Sequence, residues 1–139
     1  MKKTLALLSI LFTLSACEDT KKVDEKAVNA TEQKSNLILK DGTPINLTGT
    51  IVKTTTKKDG AIEVITHTVK FDSGSKIAEN SVYSILSKQG YTRKVIESTD
   101  EKFKVHYYKK DQPTIGSVYL EKSDQAGQSS VLSIYWRII

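Results

Sequence analysis

The sequence predicts an α+β domain: an antiparallel sheet of about six strands with one helix packed on one face, in the order ββαββββ. Three observations predict it. Runs rich in Thr, Val and Ile on either side of Lys58-Asp59-Gly60 have the composition of half-buried strands joined by a turn. One stretch, between Ser75 and Gln89, spaces its apolar residues as a helix does. After it come four strand-like runs, and their connections are short enough to imply an antiparallel meander.

The first two strands are Ile45 to Lys57 and Ala61 to Phe71, a long hairpin whose turn uses the positive φ that Gly60 can adopt. In the second arm Ile65, His67, Val69 and Phe71 share one face, while Ile62 and Val64 have the other parity. A bulge or a change of packing partner is therefore expected near Val64-Ile65. The helix follows Asp72-Ser73-Gly74-Ser75. Ala78, Val82, Ile85 and Leu86 make its apolar stripe, and Glu79, Asn80, Ser84, Ser87 and Lys88 fall outside it. Ser73 or Ser75 is the expected N-cap, and Gly90 suits the left-handed position that ends a helix.

Such a stripe needs a sheet to cover. Tyr91 to Glu97, Lys102 to Lys110, Ile115 to Lys122 and Ser130 to Ile138 supply it as an antiparallel meander. Phe103, Val105 and Tyr107 share a face, as do Leu132, Ile134, Trp136 and Ile138. Alternating aromatic and β-branched residues are what a half-buried sheet needs, so these are read as core, and a broadly exposed Trp136 would contradict that. This element order resembles the helix-on-curved-sheet architecture of the cystatin-like fold, an analogy that implies no function.

Upstream, Lys2 and Lys3 precede ten mostly apolar residues, Leu5 to Leu14, and the run closes with Leu14-Ser15-Ala16-Cys17. As a helix those ten residues would rise about 15 Å against a hydrocarbon core of about 30 Å, too short for a spanning segment. A cut after Ala16 by ordinary secretory peptidase would place bulky Leu14 where a small residue is wanted. The segment resembles the signal peptide of bacterial lipoproteins. The resemblance implies removal of residues 1–16 and a diacylglyceryl group on the Cys17 sulfur, usually with a further acyl group on the new N-terminus. It also accounts for the lone cysteine, which has no internal disulfide partner. In Gram-negative members an Asp after the cysteine favours inner-membrane retention; Glu18 stands there, so for a Gram-negative source an outer-membrane anchor facing the periplasm is expected, and for a Gram-positive one the outer face of the cytoplasmic membrane.

From Glu18 to Pro44 the chain turns polar, with scattered apolar residues that bury too little to offset their ordering entropy. It reads as a tether with a span of roughly 29 Å as a coil and at most about 90 Å extended. Within it Leu37-Ile38-Leu39, followed by Asp41-Gly42, offers a short edge strand with its turn. The expected organisation is 1–16 signal peptide, 17–44 lipidated N-terminus and tether, and 45–139 a single compact domain.

Losing Lys2 and Lys3 leaves 19 basic and 16 acidic side chains, a net of +3. Lys57-Lys58 and Lys109-Lys110 read as turn residues at opposite ends of strand pairs, and no helix carries a basic stripe, so nucleic acid is not an expected partner. His67 and His106 sit on different strands without carboxylates at ligand spacing, so no metal or other cofactor is expected. Ser73-Gly74-Ser75 lacks the flanks of a nucleophile elbow or a P-loop, and Glu97, Asp100 and Glu101 read as solvated turn carboxylates. Asn29-Ala30-Thr31 and Asn46-Leu47-Thr48 match the glycosylation triplet, which carries no information behind a bacterial signal. With no catalytic constellation, the chain is expected to be a non-enzymatic binding or assembly module, meeting an envelope protein or wall polymer by a sheet face or by strand addition at an edge. An immunity or inhibitor lipoprotein that neutralises a periplasmic toxin or hydrolase is the alternative. Cys17 is the one site residue assigned.

Overall fold

A computed structural model describes residues 35–125 and 127–138. The signal segment, Cys17 and the first part of the tether lie outside the described residues. The order begins with a small hairpin, β1 (Ser35–Ile38) and β2 (Pro44–Leu47), paired antiparallel with Leu37 opposite Ile45. Its turn is the Asp41-Gly42 turn read from sequence: the Thr43 amide donates to Asp41 Oδ1 at 2.9 Å, and Gly42 takes φ 85°. Leu37, Leu39, Ile45 and Leu47 are all buried, so packed structure starts upstream of residue 45, inside the stretch expected to be tether.

The main sheet has six strands: β3 (Thr50–Asp59), β4 (Ile62–Phe71), β5 (Thr92–Ser98), β6 (Lys102–Tyr108), β7 (Ile115–Asp124) and β8 (Gly127–Arg137). All neighbours are antiparallel in the spatial order β3-β4-β8-β7-β6-β5, so the last four strands form the expected meander and the first hairpin adds to its β8 side. The helix, α1 (Ser75–Lys88), covers one face, which confirms the α+β class. Val69, Phe71, Val105, Tyr107, Leu132, Ile134 and Trp136 point into the core with Ala78, Val82 and Leu86 from the helix. Trp136 is 2% exposed, as its core assignment requires.

Four local expectations need correction. Ile45 to Lys57 is not one strand, because the chain leaves the small hairpin and enters the main sheet at Gly49. A Cβ on Gly49 would stand 2.7 Å from both the Lys70 carbonyl oxygen and Val69 Cγ1, so the crossing permits only glycine without a shift. The bulge lies between Ile51 and Lys53, not near Val64-Ile65; β4 pairs regularly with β8 from Val64 to Phe71, and Ile62 and Val64 simply occupy the sheet's other face. The helix N-terminus has no side-chain cap of its own. Its N-cap is Gly74, and Glu121 of β7 reaches across to accept from the Ser75 amide at 2.8 Å and the Ser75 hydroxyl at 2.5 Å. A carboxylate there satisfies free amides and complements the positive end of the helix.

The fourth correction is Glu79, which falls outside the apolar stripe in sequence yet is 1% exposed. Its carboxylate accepts from Arg93 Nη1 at 2.7 Å and from the Tyr107 hydroxyl at 3.2 Å, and the Tyr107 and Tyr119 hydroxyls share a further bond of 2.9 Å. Arg93 also lies over the Tyr83 ring, 4.3 Å from its centroid. Burial pushes both the Tyr107 and Tyr119 hydroxyls well above their ordinary titration range, so they remain neutral donors. The helix C-terminus follows expectation: Gly90 has φ 89°, its amide bonds to the Ser87 carbonyl and the Tyr91 amide to Leu86, a Schellman pattern.

Candidate functional site: the open face of the sheet

One face of the main sheet carries the helix and the core, and the other carries no packed element among the described residues. Directly paired residues share a face, so the register maps the open side from any position opposite the core. Along β8 the buried Ser130, Leu132, Ile134 and Trp136 alternate with half-buried Ser129, Val131, Ser133 and Tyr135. Val131 and Tyr135 pair with Leu120 and Gly116 of β7, which places Val118 and Lys122 on the same side. The centre of this face is thus a half-buried apolar strip, of which Val118, Val131 and Tyr135 are the main members.

Basic side chains surround that strip. By the same register β3 contributes Lys53 and Lys57, β4 contributes Lys70, and Arg137 closes the end of β8. On the other flank stand Lys122 of β7, Lys102 and Lys104 of β6, and Lys94 of β5. Among the described side chains the acidic residues of this face are Glu97, which pairs with Lys102 at 3.0 Å, and Asp59 at the β3–β4 tip. Glu63, Glu79 and Glu121 all have the parity of the helix side. Of the eight cations only Lys102 has an ion-pair partner among the described residues. The small net charge of the chain therefore conceals a segregated one, and the dispersal read along the sequence does not hold in space. The signal was present as alternation: Lys53, Thr55 and Lys57, or Lys102, Lys104 and His106, occupy every second position opposite the core residues.

At one end the face deepens into a cleft of about 570 Å³, lined by Val64, His106, Thr114, Gly116, Tyr135 and Arg137 among others. Gly116 lets the Tyr135 ring lie against the β7 backbone in the cleft wall, because a Cβ there would run into that ring. His106 Nδ1 lies 3.3 Å from the Tyr108 hydroxyl, while its Nε2 is buried with no hydrogen-bond partner among the described residues. Burial, reinforced by the nearby Lys104 charge, holds the His106 imidazole below its ordinary value, so near neutral pH it is an uncharged group in the cleft that Arg137 also lines.

The two histidines lie on opposite faces and do not converge. His67 faces the helix side, where Nδ1 meets the Thr54 hydroxyl at 2.8 Å and its ring tilts against Trp136 at 5.2 Å; burial lowers its pKa. No carboxylate orients that imidazole among its described contacts. Ser75 is engaged by Glu121, Ser130 donates to the Ser73 carbonyl at 2.8 Å, and Thr99 closes the β5–β6 turn through Lys102. Glu97 stands on the open face with Lys102, apart from the exposed turn residues Asp100 and Glu101. What this arrangement offers chemically is a field of mostly unpaired cations around an apolar strip, suited to attracting anions. Compared with known proteins, the chain matches no family model, no curated protein and no solved structure.

Proposed function

We propose that this chain is a membrane-anchored bacterial lipoprotein whose domain serves as a non-enzymatic binding module of the cell envelope, taking an anionic envelope component on the open sheet face. The observation that carries the reading is the segregation of Lys53, Lys57, Lys70, Lys94, Lys104 and Lys122 onto one unpacked face without acidic partners among the described residues. Unpaired surface cations repel one another, and an anionic partner relieves that repulsion. Both edge strands favour the face over strand addition. β3 is bulged at Val52 and β5 between Val95 and Glu97, and each edge carries basic residues, the features that discourage pairing with a further strand. The anchor rests on Leu14-Ser15-Ala16-Cys17 behind its short apolar run.

Two measurements test the two halves. For the anchor, wild type is expected in the detergent phase of a Triton X-114 separation at the mass of the acylated chain, and Cys17→Ser in the aqueous phase or as unprocessed precursor. An unchanged mature mass for Cys17→Ser refutes the anchor. For the face, crosslinking in cells is expected to join the wild-type chain to envelope material and to lose those products in Lys104→Glu/Lys122→Glu. Undiminished crosslinks in that variant refute the use of this surface.

A further inference from the structure

We infer that the anionic component is the bilayer itself: the open face docks on the headgroups of an anionic phospholipid leaflet, laying the domain flat with α1 turned away. This rests on the reading of the face as an anion-binding surface and names its ligand.

The arrangement of charge favours a surface over a single polymer. Cations occur on every strand from β3 to β5, so five inter-strand spacings separate the outermost ones, about 24 Å. A linear polyanion is met by cations along one track, whereas this spread matches a two-dimensional field of charge. Seven of the eight are lysines. A flexible ammonium suits mobile headgroups as a point charge, while fixed phosphates or carboxylates are better gripped by the arginine fork. Between the cations, Val118, Val131 and Tyr135 are half-buried, and Leu120 and Tyr108 are exposed at 39% each on the same face. Aliphatic and tyrosine side chains within a basic surround suit the boundary between headgroup and acyl chain.

Chain length permits the contact. Between Cys17 and Ser35 the backbone reaches at most about 60 Å, several times the thickness of one sheet layer. An acylated Cys17 would therefore hold the face within reach of the leaflet, turning docking into an intramolecular event. Each basic residue near an anionic leaflet adds roughly a fivefold preference, and the Debye length of about 8 Å at physiological salt makes the effect sensitive to added salt.

The test uses the processed full chain on vesicles of phosphatidylcholine alone or with about one-third phosphatidylglycerol. Lysine acetylation by a membrane-impermeant reagent is read residue by residue. Lys53, Lys104 and Lys122 are expected to react at least tenfold more slowly on the anionic vesicles at about 20 mM salt, and equally on both vesicle types at about 500 mM. Lys76 and Lys88 of the helix serve as internal references and should not change. In Lys104→Glu/Lys122→Glu, with an unchanged circular dichroism spectrum, Lys53 is expected to lose most of its protection. Sedimentation with phosphatidylcholine reports the anchor separately: a chain that does not sediment there but is protected by phosphatidylglycerol keeps the docking surface and loses the anchor. Equal labelling on both vesicle types at low salt overturns the inference. Stronger protection by soluble polyphosphate or polyglutamate, at matched charge, than by the vesicles also overturns it, while leaving the anion-binding face in place.

Discussion

Replacing Arg93 with Met strips the counter-charge from a carboxylate that the helix carries into the core. Glu79 is 1% exposed and takes its shortest bond, 2.7 Å, from Arg93 Nη1. Removing one partner of a buried pair costs roughly 3–5 kcal/mol, because the remaining charge is left in a poor solvent. Two features bring the expected cost to the low end. The Arg93 side chain is 37% exposed, so water reaches part of the vacated position, and the Tyr107 hydroxyl still donates at 3.2 Å. We therefore expect a loss of about 3 kcal/mol, which for a domain near this size lowers Tm by roughly 12 °C or more. Urea unfolding followed by the fluorescence of Trp136, the sole tryptophan and 2% exposed, measures it directly. Arg93→Met/Glu79→Gln keeps an acceptor for Tyr107 but removes the charge, and should recover about 1 kcal/mol or more of the loss. A single-variant cost below about 1 kcal/mol, or a double variant no more stable than the single, would refute the placement of an ionised Glu79 in the core.

The remaining predictions concern the glycine in the cleft, the helix start and the half-buried histidine of the cleft. Gly116→Ala drives a Cβ into the Tyr135 ring and should cost roughly 1–3 kcal/mol in a urea melt, and Gly116→Ala/Tyr135→Ala should cost less than the sum of its single variants. The Ser75 side chain and amide hold Glu121 below its ordinary value of 4.5, so its contribution is present above that pH and is lost as pH falls through the depressed folded value. The stability advantage of wild type over Glu121→Gln should accordingly shrink below about pH 4.5; an advantage that grows in acid contradicts the cap. His106 should titrate below 6.5 by NMR, and Lys104→Ala should raise its midpoint while leaving that of His67 in place. Because the folded value is depressed, His106 favours the native state fully above pH 6.5 and loses that contribution as the ring protonates.

Strand and helix identities were legible because their periods are local. Leu132, Ile134 and Trp136 repeat every second residue, Ala78, Val82 and Leu86 every fourth, and both patterns survive in the core. What could not be read depends on partners far along the chain. Glu79 looks like a solvated helix residue until Arg93 and Tyr107 are brought beside it, and Ser75 looks like a cap until Glu121 arrives from 46 residues away. Gly49 marks a change of sheet only because Lys70 and Val69 lie against it. The basic face was half legible: alternate lysines are visible within β3 and β6, but only the order β3-β4-β8-β7-β6-β5 sums them into one surface.

If the chain is anchored as proposed, its irregular outer strands bear on how many copies could share a patch of membrane. Molecules confined to two dimensions meet edge to edge far more often than the same number in bulk, and a straight, unprotected rim would invite them to zip into ribbons. Here the two outermost ladders are each interrupted, with Val52 standing 57% exposed at one break and lysines on both rims. On the anchor and docking proposed above, neighbours on a leaflet would encounter mismatched, like-charged borders, and a crowded lawn of these domains would stay a population of separate molecules.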